Sequence, residues 1–324
     1  MKIRRVGFAA LGILAIGAGT ATWGQETSRS KSTEQCSLAI VSKQVESDAT
    51  VCDRAAVERM AQRGQAFEQN QMGLASILAI GPDYSAKEAL VWFERAAQRG
   101  YAPAQVNLAV MYSNGWGVAV NYGVAQHWLR EAASHGYARA YYNMGILYFE
   151  GKGVRQDNAE ALRWFQKGAD AGDSSAQTNL GYFYDQGMSG KRDVETAAKW
   201  YRKAAEAGNP LAQNNLGDLY LHGEGVPKDA TAAFGWFQKA AAQGQTGAQI
   251  KLASMYADGR GTAKNIEAAY AWTTVAVTAG DSRGNALLHS IEKSLTAEQI
   301  ARATDRAREL GAGERVLAAR NFGQ

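Results

Sequence analysis

Tryptophan returns at Trp92, Trp128, Trp164, Trp200, Trp236 and Trp272, each 36 residues after the last. Glycine keeps the same step at Gly64, Gly100, Gly136, Gly172, Gly208, Gly244 and Gly280. Two ladders in one register set the architecture before any local reading, because a period of roughly 20 to 50 residues marks stacked repeats. A chain of 324 residues suggests two globular domains on length alone. Six units over residues 65–280 instead form one repetitive region with short ends.

The unit Tyr137 to Gly172 shows how each copy folds. Ala140, Met144, Gly145 and Tyr148 recur three and four residues apart, as one face of a first helix, A, requires. Gly151 and Gly153 stop it, since glycine adopts backbone angles that side chains bearing a Cβ resist. A second helix, B, starts at a column of capping residues: Ser85, Asn121, Asp157, Asp193, Asp229 and Asn265. Glu88 and Glu160 stand where they would complete capping boxes with Ser85 and Asp157. Helix B carries Ala161, Trp164, Phe165, Gly168 and Ala169 on one stripe, and Gly172 ends it as a left-handed cap.

Small and large columns alternate. Alanine at Ala104, Ala140, Ala176, Ala212 and Ala248, with Gly145, Gly181 and Gly217, allows close helix approach. Tyr112, Tyr148, Tyr184, Tyr220 and Tyr256 fill the space that remains. A single hairpin cannot bury such a face alone, so neighbours supply the other wall. The tryptophan and tyrosine columns could form an aromatic ladder for a ligand, but their place on the packing stripe assigns them to the core. On that reading Trp164→Ala costs about 3 to 5 kcal/mol.

The segment from Ala212 to Gly244, AQNNLGDLYLHGEGVPKDATAAFGWFQKAAAQG, carries the pattern most clearly. It resembles the Sel-one-like repeat (SLR) family, a relative of the tetratricopeptide repeat, and the likeness extends over most of residues 65–280. The resemblance implies an all-α, right-handed superhelical α-solenoid of six 36-residue helix-turn-helix repeats with capping helices. Two departures stand out: Gly187, Met188, Ser189 and Gly190 alter the fourth loop, and Ser76 replaces the first tyrosine. Residues 53–64 read as an N-terminal cap helix. Residues 281–324 read as C-terminal cap helices and tail, with Thr296 and Gln299 opening the last amphipathic helix.

The amino terminus has the composition of an export signal. Lys2, Arg4 and Arg5 precede an apolar run from Val6 to Gly17, and small residues follow, so residues 1–21 read as a bacterial signal peptide cleaved after Ala21. An uncleaved membrane anchor is the competing reading, although the run is short for a span. Export implies a periplasmic or secreted protein. Cys36 and Cys52 lie in the polar segment 22–52, and an oxidising compartment favours a disulfide between them over two free thiols. The formal charge is +4 and the leader's three basic residues supply most of it, which gives no basic face for nucleic acid.

Catalytic and metal-binding signatures are weak. His127, His135, His222 and His289 show no ligand spacing on a shared helix face. The Gly-x-Gly loops recur once per unit and lack the lysine and hydroxyl of a P-loop. Ser-x-x-Lys occurs at Ser28 to Lys31 and at Ser290 to Lys293, and some cysteine-rich SLR proteins are described as penicillin-binding or β-lactamase-like. The companion Ser-Asp-Asn and Lys-Thr-Gly elements are missing, so a hydrolase is the minor alternative and no catalytic residue, metal or cofactor is assigned.

The family resemblance implies an inner wall lined by helix A positions outside the core. These are Val106 and Val110, then Tyr142, Ile146 and Phe149, then Thr178, Tyr182 and Asp185, then Asn214, Asp218 and Leu221. Trp116, at a loop tip, is a further candidate contact. Either these residues line a concave groove for a protein or peptide, or tight curvature buries them against the next helix A. The first reading makes the chain an adaptor in an envelope or signalling complex, with no small-molecule substrate and no membrane contact beyond an uncleaved leader. A purely structural spacer is the other possibility.

Overall fold

A computed structural model describes residues 54–78, 85–188 and 190–321. The leader, the polar segment with Cys36 and Cys52, and the Ser28 to Lys31 motif lie outside these residues. The described chain is all-helical. α1 (Arg54–Gln62) precedes six hairpins: α2 (Ala66–Leu78) with α3 (Ala86–Gln98), α4 (Ala102–Asn114) with α5 (Tyr122–Ser134), α6 (Ala138–Glu150) with α7 (Asn158–Asp170), α8 (Ser174–Gln186) with α9 (Val194–Glu206), α10 (Pro210–His222) with α11 (Ala230–Ala242), and α12 (Thr246–Asp258) with α13 (Ile266–Thr278). A 3₁₀ turn at Ser282–Gly284, α14 (Asn285–Glu292) and α15 (Ala297–Asn321) follow. The protein is an α-solenoid in class, and its packing divides into two compact units that meet in sequence between Asp173 and Ser174. Among the described residues no helix is long and apolar enough to cross a membrane.

Each hairpin is closed by a backbone hydrogen bond that the sequence does not reveal. The amides of Asn121, Asp157, Asp193, Asp229 and Asn265 donate to the carbonyls of Tyr112, Tyr148, Tyr184, Tyr220 and Tyr256, all at 2.9 Å, and Ser85 donates to Ser76 at the same distance. The cap side chains accept from the first helical turn, as Ser85 does from Glu88 N at 3.1 Å and Asp157 from Glu160 N at 3.0 Å. The expected capping boxes at Ser85 and Asp157 are therefore only half made. Their cap amides already have a carbonyl partner, so Glu88 turns to Trp92 Nε1 and Glu160 to Arg163. At Thr296 the box is complete: Gln299 Oε1 accepts from Thr296 N at 2.9 Å, and Gln299 N donates to Thr296 Oγ1 at 3.3 Å.

The core column lies one residue beyond the tryptophans. Phe93, Phe165, Tyr201 and Phe237 are fully buried, while Trp128, Trp164, Trp200, Trp236 and Trp272 are half-buried and only Trp92 falls below a tenth exposed. One residue is about 100° of helix rotation, which turns the second aromatic onto the facing helix A. There it lies on glycine: a Cβ at Gly73, Gly145, Gly181 or Gly217 would stand 2.6, 2.5, 2.8 or 2.7 Å from the ring of Phe93, Phe165, Tyr201 or Phe237. Four of the six indoles instead rest at the margin of the core beneath a basic side chain. Arg95, Lys167, Lys203 and Lys239 lie 5.0, 4.5, 4.9 and 4.2 Å from the ring centres of Trp92, Trp164, Trp200 and Trp236.

Hairpins are keyed to one another through the second loop glycine. Gly153 has φ 70° and sits on Tyr122, the first residue of the preceding helix B, whose Cβ would be 2.2 Å from an added Cβ. Gly261 sits in the same way on the Ala230 carbonyl. At the amino end Val57 and Ala61 of α1 cluster with Met72 and Trp92. At the carboxyl end Ala303 of α15 joins Ala269, Tyr270 and Ile291, and Ala307 joins Ala271 and Val275.

Candidate interaction surface

The helix A face is closed more tightly than an open groove would be. Val106, Val110, Tyr142, Ile146, Thr178, Asp185, Asn214 and Asp218 are all buried. Their burial follows the second of the two sequence readings. Phe149, Tyr182, Leu221 and Trp116 remain partly exposed. Three of these four occupy the last two turns of a helix A, and Trp116 is in the loop that follows one. Within each compact unit the accessible part of the expected wall is thus its rim, near the carboxyl ends of its A helices, Trp116 and Phe149 in the one and Tyr182 and Leu221 in the other.

Two polar columns that sequence reasoning missed are built into this face. Gln69, Gln105, Gln213 and Gln249 each donate through Nε2 to the carbonyl eight residues earlier, at Ala61, Ala97, Ala205 and Ala241, over 2.9 to 3.3 Å. These carbonyls belong to the last turn of a preceding helix, and the amide is a second donor beside the backbone N–H of the register glycine three residues on, at Gly64, Gly100, Gly208 and Gly244. In the third hairpin Tyr141 takes the role through its hydroxyl, 2.9 Å from Ala133 O. The second column is Asn107, Asn143, Asn179 and Asn215, all buried. Asn107 Nδ2 donates to Asn70 Oδ1 at 2.9 Å, joining two hairpins through amides. Both columns repeat at 36 residues, so the signal was present in the sequence; nothing in it distinguished buried amides from solvated ones.

In the unit beginning at Ser174, lysine takes the next place in the asparagine column. Lys251 Nζ lies 2.7 Å from Asp218 Oδ2 and 2.8 Å from Asn214 Oδ1, and 5.3 Å from the Phe237 ring centre. The Asp218 side chain is 2% exposed and that of Lys251 29%. A second charged bridge spans two loops. Arg192 reaches Asp185 Oδ1 at 3.0 Å and Glu224 Oε2 at 2.6 Å, with the Asp185 side chain fully buried. Hydrogen bonds to Glu224 and then to Asp185 raise the Arg192 guanidinium above its ordinary pKa. Asp218 and Asp185 therefore each have a cation within hydrogen-bond reach, which burial of a charge demands.

Among the described residues no comparable constellation for chemistry is assembled. Ser290 and Lys293 are both exposed on the end of α14. His127, His135 and His289 are exposed, and His222 Nδ1 is 2.8 Å from the Asp218 carbonyl of its own helix. Among the described residues no group of three or more His, Cys, Asp or Glu side chains is placed to hold a metal ion.

Stacked helical hairpins with a charged, partly apolar rim define a repeat scaffold. Six Sel1 repeats match residues 69–101, 102–137, 138–173, 174–209, 210–245 and 246–281, and the chain belongs to the Sel1 repeat family. A Sel1 repeat protein from Oxalobacter formigenes is similar at 34% identity and a TM-score of 0.62, over 67% of this chain and 89% of that one. The SLR-fold protective antigen c5321 of uropathogenic Escherichia coli matches at 26% identity and a TM-score of 0.48, over 89% of this chain and 70% of its own. PA5086 of Pseudomonas aeruginosa matches at 20% identity and a TM-score of 0.50, over 67% and 83%. No curated protein matches the chain. Sel1 repeat proteins generally mediate contacts between proteins and are typically scaffolds without catalysis.

Proposed function

We propose that the chain is an exported adaptor, periplasmic or secreted, that holds a protein or peptide segment along its helix A face and thereby organises an envelope or signalling complex. The observation that carries this reading is the partial exposure, within one compact unit, of Phe149 near the carboxyl end of its A helix and of Trp116 in the loop that follows another, with Tyr182 and Leu221 similarly exposed in the other unit. Elsewhere among the described residues the large hydrophobics that are plainly exposed are Val91 and Val120. Aromatic groups that present both an apolar body and an accessible edge are the anchors that protein interfaces favour. The basic and then apolar leader supports export.

The test compares purified wild-type protein with a Trp116→Ala, Phe149→Ala double variant that keeps its helical circular dichroism. A set of envelope proteins captured saturably by the first and lost by the second supports the reading. The same set captured by both removes the rim from consideration, and no saturable partner for either favours a spacer. Sequencing the amino terminus of the exported protein decides the leader: a start at Thr22 supports cleavage, and an intact Met1 overturns it.

A further inference from the structure

The last hairpin breaks a rule that most of the others keep. A basic residue three positions after the tryptophan covers the indole in the first, third, fourth and fifth hairpins. In the second, His127 tilts against Trp128 with ring centres 5.1 Å apart. In the sixth, the position is Val275, which is 5% exposed and packs into the core with Ala271 and Ala307. Trp272 thus has no cation from its own helix, and it is half-buried.

A cleft opens beside that indole. It has a volume of about 390 Å³, and its lining includes Tyr256, Glu267, Trp272, Arg302, Arg306 and Leu310. Most of its lining comes from α13 and α15, with Gln238 of α11 and Tyr256 of α12 beside them, and the two arginines differ in their commitments. Arg302 is bound to Glu267 at 2.7 Å, and these hydrogen bonds hold Glu267 below the usual carboxylate range. Arg306 contacts Glu309 in the next turn of its own helix at 2.7 Å, with both side chains about two-thirds exposed, 64% and 65%. Exposed pairs of that kind are weak and yield readily to another carboxylate. A ligand carboxylate would then meet the planar donor fork of Arg306, while an aromatic group would lie against Trp272 and Leu310.

We propose that this cleft binds the free carboxyl terminus of a peptide ending in phenylalanine or tyrosine, with the carboxylate on Arg306 and the ring against Trp272. The volume lies at the small end of the roughly 300 to 1,000 Å³ usual for ligand sites, which suits one or two residues, with the rest of the peptide leaving through the open side. Because the ligand touches both α13 and α15, binding fastens the terminal helix to the last hairpin. The site is separate from the helix A rim, and its failure leaves the adaptor reading untouched.

The experiment is fluorescence polarisation of the full exported chain with fluorescein-labelled Gly-Ser-Gly-Ser-Phe, as the free acid and as the C-terminal amide. The acid binds saturably, and the amide binds at least tenfold more weakly. Arg306→Gln, an exposed and structurally mild change, weakens the acid at least tenfold, while Arg308→Gln on the same helix has no effect. Amide hydrogen exchange in residues 300–310 slows when the acid is added. Equal affinity for acid and amide, unaltered binding by Arg306→Gln, or no saturation overturns the proposal. Phenylpropionate competing as strongly as the peptide also overturns it, in favour of a small aromatic acid.

Discussion

The ring of Phe165 lies directly on Gly145, where an added Cβ would stand 2.5 Å from Cε1. The pair is the centre of its hairpin, and the neighbouring tryptophan is not. Gly145→Ala therefore destabilises by about 1 to 3 kcal/mol through overpacking, only partly offset by the roughly 0.5 to 1 kcal/mol that alanine gains over glycine inside a helix. Phe165→Ala costs about 3 to 5 kcal/mol. Trp164, half-buried beneath Lys167, costs less than Phe165 when replaced by alanine, which reverses the expectation drawn from the tryptophan ladder. Urea denaturation of the three variants checks the order, and a Trp164→Ala loss exceeding that of Phe165→Ala refutes it.

Gln105 joins two helices by reaching back to the Ala97 carbonyl at 3.3 Å. Gln105→Ala leaves that carbonyl without its side-chain donor and costs about 1 kcal/mol. Loss of protection at amides in the last turn of α3 and the first turn of α4 is the expected hydrogen-exchange signature. An exchange pattern identical to wild type at both helix ends counts against the clasp.

Asp218 has Lys251 as its cation in a nearly closed site. Lys251→Met strands the carboxylate and costs about 3 kcal/mol. Adding Asp218→Leu to that variant recovers much of the loss, because two apolar groups in place of a buried pair are close to neutral. A double-mutant cycle reads the coupling, and simple additivity of the two changes would show that the pair does not interact.

Asp281 has a pKa lowered from 3.8 to about 2, chiefly by hydrogen bonds from Arg283 and with help from Thr246. Thr246 Oγ1 donates to it at 2.8 Å, tying the start of α12 to the end of the last repeat. A folded-state pKa below the unfolded value means that the ionised form stabilises the fold. That contribution is complete above pH 3.8 and disappears as pH falls through about 2. Asp281→Asn is accordingly less stable than wild type at neutral pH and converges with it toward pH 2. Thermal melts across this range check the sign; a gap that widens on acidification contradicts it.

The 36-residue step made the hairpins, their caps and the family pattern legible because each depends on local chemistry that every copy repeats. The orientation of the aromatic pair was not legible in that way. Trp164 and Phe165 are both large and adjacent, and only the facing Gly145 decides which of them turns inward. The capping glutamates misled for a similar reason: Glu88 and Glu160 are spaced for a box, but the competing acceptors at Ser76 and Tyr148 lie nine residues upstream. The candidate surface was the least legible part. Val106 and Asp218 look like surface positions in a helical wheel, and their burial depends on neighbours the pattern does not specify. Lys251 meets Asp218 across 33 residues and Asn214 across 37, intervals that flank the repeat length and belong to no single unit.

Gly153 and Gly261 have a bearing on how such a chain can lengthen or shorten. Each is the bare spot into which the first residue of the preceding B helix fits, through the Tyr122 side chain at Gly153 and through the Ala230 carbonyl at Gly261. Splicing in or excising one 36-residue cassette that carries this glycine preserves such a joint, whereas the fourth loop, with Ser189 in the same column, does not offer the same bare position. Adding a single amino acid between α12 and α13 shifts the socket away from its plug and leaves no equivalent contact in reserve. Growth by whole cassettes and intolerance of one-residue slips are thus two faces of a glycine that has nothing but hydrogen to offer its neighbour.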